Sequence, residues 1–392
     1  MTERQYDLAL FGGTGFTGGL TADYLAANAP AELRWALVGR NRGKLEAVKE
    51  RLAAASPQAP EPDLIEADAA DAGALAKVAE ASRVVATTVG PYALYGAPLV
   101  AACAAAGTDY ADLTGEPEFV DRMWIEHHAR AQESGARLVH CCGFDSIPHD
   151  LGAYFTVQQL PEGVPLKVDG YVRSNAQFSG GTYHSAINAF ARGRQTLGAA
   201  RERRRGEPRP PGRSIHSAPN RVRRAPELGG WAVPLPTIDG AIVRRSAAAL
   251  ERYGPDFTYG HHLLAKHLAT VAGLAGGVGA MALLAPLPPT RKLLLKAKAP
   301  GEGPSEATRE KSWFKVKFVG EGGGKRVVTE VSGGDPGYSE TSKMLAESAL
   351  CLAFDQLPET AGQATTAEAM GDALLARLQR AGMSFEVLDP GA

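Results

Sequence analysis

Three glycines with the spacing Gly13-x-Gly15-x-x-Gly18 lie between an apolar run at residues 6–11 and a helical pattern at residues 20–27. Between a strand and a helix, this spacing is typical of a loop that binds the pyrophosphate of a dinucleotide. The glycines permit a tight turn and a close approach of backbone N–H groups to the phosphates, and the helix N-terminus favours the negative charge. The sequence therefore predicts a dinucleotide site.

The second predicted strand ends in the sequence Gly-Arg-Asn-Arg-Gly-Lys at residues 39–44. An NAD site usually carries a carboxylate near this position for the ribose 2′-hydroxyl, but the first acid here is Glu46. The cations suit a 2′-phosphate, so we expect NADP(H), with a solvated basic loop as the alternative. The predicted cofactor-binding residues are Gly12, Gly13, Thr14, Gly15, Phe16, Thr17, Gly18, Arg40, Asn41, Lys44, Asp68, Thr88, Val89, Gly90, Pro91 and Tyr92.

Strand and helix patterns alternate along the first part of the chain, which predicts a doubly wound parallel sheet. The predicted strands are 6–11, 34–38, 63–66, 84–89, 110–113 and 137–142, and the predicted helices are 20–27, 44–55, 98–106 and 118–134. Later strands of an antiparallel kind are expected at 168–174, 313–319 and 326–331, and helices at 340–354 and 366–381. We expect an α/β protein with an NADP-binding Rossmann domain at 1–150, an inserted α+β substrate or dimerisation domain at 151–335, and C-terminal helices at 336–392 that pack back on the first domain.

The composition is that of an ordinary soluble globular protein. The 392 residues carry a formal net charge of −1, with 44% hydrophobic and 22% charged residues. These values exclude collagen, a coiled-coil rod and global disorder, and they give no reason to expect nucleic-acid binding. Four cysteines are too few for a disulfide scaffold, and no ligand spacing predicts a metal site. We expect a cytoplasmic protein without a signal peptide.

Seven motifs, spread between residues 11 and 353, resemble the saccharopine dehydrogenase-like oxidoreductases, most closely the actinobacterial trans-acting enoyl reductases. The motifs are FGGTGFTG at 11–18, GR at 39–40, TVGPYALYG at 88–96, CAAAGTDYADLTGE at 103–116, CGFDSIPHDLG at 142–152, SGGTYHSA at 179–186 and GGDPGYSETSKMLAESALCLA at 333–353. The resemblance implies cofactor roles for the glycine loop, Arg40 and the TVGPY segment.

The resemblance also implies an activity: NADPH-dependent hydride transfer to a C=C bond of a polyketide or fatty-acyl thioester, presented by a separate carrier in lipid biosynthesis. Two alternatives stay open. One is a dehydrogenase that acts on a C–N bond of an amino acid, and the other is a non-catalytic NADP-binding protein at a lipid surface.

Reduction of a conjugated double bond needs a proton donor and hydrogen bonds to the developing enolate oxygen. Tyr92 follows the fourth strand, and Tyr183 and His184 follow a pair of glycines, so these three are the catalytic candidates. Tyr92 packing against the cofactor is the alternative. His149 is a further candidate acid, whereas Asp145 and Ser146 are better interpreted as caps of the next helix. The adjacent Cys141 and Cys142 are expected to be small buried hydrophobic residues.

Residues 192–224 contain eleven arginines and two acids. We expect this basic loop to dock an acidic carrier protein or an anionic lipid, with a solvated loop as the alternative. Residues 268–287 contain no charged residue. A buried or interface helix is the first interpretation, peripheral contact with a lipid surface or a long-chain substrate the second, and a transmembrane helix the third. A homodimer is also compatible with the sequence.

Overall fold

A computed structural model describes residues 4–176, 187, 190–296 and 303–388. The N-terminal half of the fold is built on a seven-stranded sheet in the order β14-β6-β5-β4-β1-β2-β3. Its strands are β1 (Tyr6–Phe11), β2 (Trp35–Gly39), β3 (Asp63–Glu66), β4 (Ser82–Thr87), β5 (Asp109–Asp112), β6 (Arg137–Val139) and β14 (Gly362–Ala364). Every pair of neighbours is parallel, which confirms the predicted fold class.

Helices cover both faces of this sheet. They are α1 (Phe16–Asn28), α2 (Arg42–Ala55), α3 (Ala72–Ala81), α4 (Tyr92–Tyr95), α5 (Ala97–Ala106), α6 (Pro117–Ser134) and α7 (Ile147–Gln158). Every residue of β1 and β2 is buried, because the two strands lie inside the sheet with helices on either side. Helix α3 was not predicted, although Asp71 caps it and it buries Leu75, Val78 and Ala79.

A second sheet of eight strands has the order β15-β13-β12-β7-β11-β10-β9, and β8 pairs with β11. Its strands are β7 (Leu166–Ser174), β8 (Ser214–Ser217), β9 (Arg223–Ala225), β10 (Gly230–Pro234), β11 (Asp256–Ala265), β12 (Phe314–Gly322), β13 (Lys325–Gly333) and β15 (Ser384–Leu388). The three predicted strands correspond to β7, β12 and β13, which pair antiparallel. The sheet is nevertheless mixed, because β11 runs parallel to β7 and β8.

The remaining helices differ from the predictions in two places. They are α8 (Gly193–Gly206), α9 (Asp239–Ala249), α10 (Leu268–Leu284), α11 (Pro288–Lys296), α12 (Glu306–Glu310), α13 (Ser339–Phe354), α14 (Thr366–Ala369) and α15 (Gly371–Arg380), with 3₁₀ turns at Pro226–Leu228 and Glu251–Tyr253. The tail at 366–381 forms two helices, since Gly371 with φ +37° interrupts it. The basic segment at 192–224 is a helix and two strands, so the prediction of a loop was wrong.

The C-terminal segment joins both sheets. Helix α13 packs on the first sheet, where Ser342 Oγ donates to the carbonyl oxygen of Thr17 and Tyr24 donates to Glu347 at 2.7 Å. Strand β14 then pairs with β6, and β15 pairs with β13 of the second sheet. The three-part division at residues 150 and 335 remains our proposal.

Helix α10 is exposed in the single chain, so of the first interpretation, a buried or interface helix, burial was wrong. Leu268 is 58% exposed and Leu283 is 75% exposed. A Cβ built on Gly276 or Gly277 meets nothing within 4 Å. Among the helices described here, none is long and apolar enough to cross a membrane.

Candidate functional site

The glycine loop between β1 and α1 forms a closely packed turn. Gly12 has a φ of +94°, and Thr88 Oγ1 donates to its carbonyl oxygen at 3.2 Å. Helix α1 begins after Gly15 and has neither a side-chain cap nor an acid in its first turn. Its first N–H groups therefore have no competing side-chain acceptor, and the cradle fits the pyrophosphate of a dinucleotide.

Arg40 has the freedom that a 2′-phosphate site requires. It is exposed and makes no ion pair with any residue of the described ranges. Its neighbours have other roles, since Arg42 pairs with Glu46 at 2.9 Å and Asn41 accepts a hydrogen bond from the Lys44 N–H as the cap of α2. The 2′-phosphate contact of Arg40 stays a prediction, and Asn41 and the Lys44 N–H shape the turn.

Two other predicted cofactor segments directly follow strands of the first sheet, β3 and β4. Asp68 is exposed after β3, and its Oδ1 accepts from the Ala70 N–H at 2.9 Å. Residues 88–91 follow β4, with a cis peptide bond between Gly90 and Pro91. Both segments lie at the carboxyl edge of the sheet, where ligands bind in open α/β folds.

Tyr92 joins the ends of two strands. Its hydroxyl donates to the Thr87 carbonyl at 3.0 Å and accepts from the Leu113 N–H at 3.1 Å. Burial raises the pKa of Tyr92 well above its ordinary value. Glu116 accepts from the Tyr92 and Ala93 backbone N–H groups and fixes the start of α4. The geometry thus gives Tyr92 a positioning role; its role as a proton donor stays a prediction.

A buried pair, Asp112 and His140, fixes the loops after β5 and β6. His140 Nδ1 lies 2.6 Å from Asp112 Oδ2, and Asp112 Oδ1 accepts from the Thr114 and Cys141 N–H groups at 3.0 Å. Cys141 has a φ of +63°, so β6 ends at Val139 and not at Cys142 as predicted. Both cysteines are buried, and burial raises the pKa values of their thiols.

A buried cluster of titratable groups lies where α7, α9 and β11 meet. Asp239 at the start of α9 lies 3.6 Å from His149 Nε2 and 3.5 Å from His261 Nε2. The two imidazole rings are perpendicular, with centroids 4.7 Å apart. We define these three residues as the His–Asp–His cluster. It is the one group in the described ranges whose donor atoms could converge on a metal ion. At these separations the carboxylate of Asp239 faces both imidazole rings.

The charges of this cluster have clear physical causes. Burial lowers the pKa of His149 to about 4, against the attraction of Asp239. Burial alone would raise the pKa of Asp239, but the two histidines hold it below its ordinary value. Asp239 therefore carries a negative charge inside the protein.

Asp145 is the neighbouring acid. A Cβ built on Gly115 would lie 2.7 Å from Asp145 Oδ2, so this carboxyl group lies against the loop after β5. Burial, and then the charge of Asp239, raise the pKa of Asp145 to about 7. The capping prediction was wrong, since α7 has no side-chain cap and the Ser146 hydroxyl has no partner among the described residues.

Sequence reasoning missed Asp239 and His261. Their approach depends on contact between α9 and β11, which no local pattern reveals. The adjacent histidines offered a weak signal: neighbouring residues on a strand face opposite sides. His261 accordingly faces Asp239, whereas His262 lies 3.1 Å from Asp169. Two catalytic candidates, Tyr183 and His184, lie outside the described residues.

Comparison with known proteins decides the family. Residues 8–139 match the saccharopine dehydrogenase NADP-binding domain. The chain is 36% identical to a trans-acting enoyl reductase of Mycobacterium ulcerans and 38% identical to one of Mycobacterium tuberculosis, covering 97% of both chains in each comparison. The chain belongs to the saccharopine dehydrogenase-like oxidoreductases, in the group of trans-acting enoyl reductases.

The fold of this trans-acting enoyl reductase family member is similar to that of a solved structure. Saccharopine dehydrogenase (L-Glu forming) of Saccharomyces cerevisiae superposes with a TM-score of 0.55 over 97% of this chain and 99% of that chain. At 13% identity, this likeness concerns the fold alone. The matched NADP-binding domain confirms the predicted cofactor, and the protein is an NADP-dependent oxidoreductase.

Proposed function

We propose that the protein uses NADPH to reduce the C=C bond of an enoyl thioester in a polyketide or fatty-acyl chain during lipid biosynthesis. One observation carries this proposal: the similarity to trans-acting enoyl reductases extends over nearly the whole chain, including the second sheet that would contact the substrate. When bound, NADPH supplies the hydride. The residues of the chain must orient the thioester and deliver a proton to its α-carbon.

We assign the proton donor to Asp145. Three features support the assignment: the residue follows β6 at the carboxyl edge of the sheet, it is half-buried, and its pKa of about 7 leaves a large fraction protonated near neutral pH. The charge of Asp239 favours the protonated form of Asp145, and the two histidines keep Asp239 itself ionised. Tyr92, Tyr183 and His184 remain proposed partners of the substrate oxygen.

Delivery of the substrate in trans requires a docking surface for its carrier. Arg192, directly before α8, pairs with Glu118, and the buried Arg203 on α8 pairs with Asp121 and Glu207. These two arginines therefore belong to the packing of the fold. Exposed arginines 201, 204 and 205 form the face that we propose for an acidic carrier protein.

We propose peripheral lipid contact for the apolar surface of α10 and α11. Leu268, Val278 and Leu283 are exposed on α10, and Leu293 is 71% exposed on α11. The cations Arg291 and Lys292 follow closely and suit an anionic headgroup layer. A homodimer formed through the same surface is the alternative.

The decisive experiment follows deuterium from NADPH labelled at one nicotinamide C4 position. The purified protein is incubated with an enoyl thioester on a carrier protein, and the acyl product is analysed by mass spectrometry. We expect one deuteron at the β-carbon, transferred from one C4 position only. Label transfer to an amino-acid imine, but not to the thioester, would instead establish the C–N alternative.

If the protein binds NADPH but oxidises it with neither substrate, the result would establish the non-catalytic alternative. The ionised Asp239 disfavours the amino-acid reaction, because its charge would repel the carboxylates of such a substrate.

A further inference from the structure

A segment of the inserted region crosses the start of α1. Phe16, the first residue of that helix, follows Gly15 of the glycine loop. The Cζ of Arg309 lies 5.5 Å from the centre of the Phe16 ring, in cation–π geometry. A Cβ built on Gly303 would lie 2.2 Å from the same ring, so the segment 303–310 packs closely on it. Tyr338 contacts the ring edge-on at 4.9 Å.

The guanidinium group of Arg309 has unused hydrogen-bonding capacity. One Nη donates to the Pro304 carbonyl at 3.0 Å. Its Nε is buried and has no acceptor among the residues that the structure describes. No ion pair links Arg309 to a described acid. A buried N–H without an acceptor costs free energy, so a ligand that supplies one would be bound favourably.

The place of this group in the fold indicates which ligand. The N-terminus of α1 is where a dinucleotide pyrophosphate binds, and Arg309 contacts the first residue of that helix. Guanidinium groups bind phosphate oxygens with charge-assisted, often bidentate hydrogen bonds. A cation supplied by the inserted region would complete a site whose other donors are backbone N–H groups.

We propose that Arg309 binds the pyrophosphate of NADP(H). The contact lies outside residues 8–139, which match the NADP-binding domain, so the inserted region itself contributes to cofactor binding. Because NADPH and NADH share the pyrophosphate, Arg309 contributes affinity without selectivity. Arg40, by contrast, would select between them.

Equilibrium binding of NADPH and NADH by Arg309→Gln tests the proposal, measured by calorimetry without substrate. We expect both dissociation constants to rise by about tenfold or more, with their ratio unchanged, as loss of a charge-assisted contact predicts. Lys311→Gln removes an exposed cation two residues along the chain and should leave both constants unchanged. Arg309→Lys keeps the charge and should lose less affinity than Arg309→Gln.

A fragment series separates the pyrophosphate contact from a loss of folding. Binding of 2′-AMP, which lacks the pyrophosphate, should be unaffected by Arg309→Gln, whereas binding of ADP-ribose should weaken. Dissociation constants of Arg309→Gln within twofold of wild type for both cofactors would overturn the proposal. Equal weakening of 2′-AMP and ADP-ribose would also overturn it, because the effect would not depend on the pyrophosphate. These outcomes are independent of which acyl substrate the enzyme reduces.

Discussion

Gly18 lies so close to Gly12 that a Cβ built on Gly18 would be 2.1 Å from the Gly12 carbonyl oxygen. Gly18→Ala must therefore push the glycine loop away from α1. We expect NADPH affinity to fall at least tenfold and the free energy of unfolding to fall by about 1–3 kcal/mol, the usual cost of overpacking. Gly19→Ala is the matched control, since its nearest neighbour would be Arg51 at 3.6 Å. Calorimetric titration and thermal melting measure both effects.

Arg40→Gln should change cofactor preference. The residue is exposed and unpaired among the described residues, so its charge is available to the 2′-phosphate that NADH lacks. Loss of this contact should weaken NADPH by about ten- to a hundredfold and leave NADH unchanged. Fluorescence titrations with the two cofactors measure the ratio. An equal loss for both would contradict the assignment of Arg40.

Asp145→Asn should remove a pH dependence of turnover. The protonated acid is the active form, so kcat of the wild type should fall as pH rises through about 7. The variant should lose roughly a hundredfold or more in kcat, and this limb of the profile should disappear. NADPH affinity serves as the control and should not change. A variant that keeps the wild-type profile would assign the proton donor elsewhere.

The same carboxyl group links stability to pH. Folding raises the pKa of Asp145 from 3.8 to about 7, so the folded protein holds this proton more tightly than the unfolded chain does. The contribution of this group to the free energy of unfolding is fully present below the pKa of the unfolded chain and is lost as pH rises through about 7. Chemical denaturation between pH 4 and 8 should therefore show a smaller decline for Asp145→Asn than for wild type. Identical slopes would mean that the folded-state pKa is not raised.

Adjacent arginines on α8 should differ in their effect on stability. Arg203 is buried against Asp121 and Glu207, whereas Arg204 is exposed. Arg203→Met removes one of the two arginines that pair with the buried Asp121, the other being Arg245, and should cost roughly 1.5–3 kcal/mol. Arg204→Met should change stability by less than about 0.5 kcal/mol. Urea denaturation of both variants measures the difference, and similar values would contradict the buried ion pairs.

Acidic substitutions on α10 should reduce lipid binding. The double variant Val278→Asp, Leu283→Asp places charges on two exposed apolar positions, so folding should be unaffected. Its partition onto vesicles with anionic lipid should fall about tenfold or more. NADPH affinity and melting temperature should not change. Loss of a dimer in place of vesicle binding, seen by analytical ultracentrifugation, would assign this surface to a second copy of the chain.

Six strands of the first sheet could be predicted because most are short apolar runs that alternate with helices, whereas the three-residue β14 gave no such signal. Strand β3 even has the predicted bounds. Most of the second sheet could not be predicted from the sequence. Strands β8 to β11 are short or contain histidines and glycines whose burial depends on partners far along the chain. Helix α10 shows a different failure. An uncharged sequence predicted burial, but apolar composition does not determine what covers a helix.

The candidate site divides in the same way. The cofactor loop could be predicted because its chemistry requires a local spacing of glycines. Asp145 was present in a recognised motif, but it does not cap α7. Its raised pKa could not be predicted, because it depends in part on Asp239, which lies 94 residues further along the chain. Long-range charge pairs of this kind leave no periodic signal in a sequence.

Strands β14 and β15 come from one stretch of chain and enter different sheets. The ribosome synthesises residues in order, so β6 and β13 each lack one strand neighbour until residues 362–388 emerge. A single late segment then supplies the terminal strand of both sheets, and the cofactor-binding half and the substrate half therefore mature in the same step of biosynthesis.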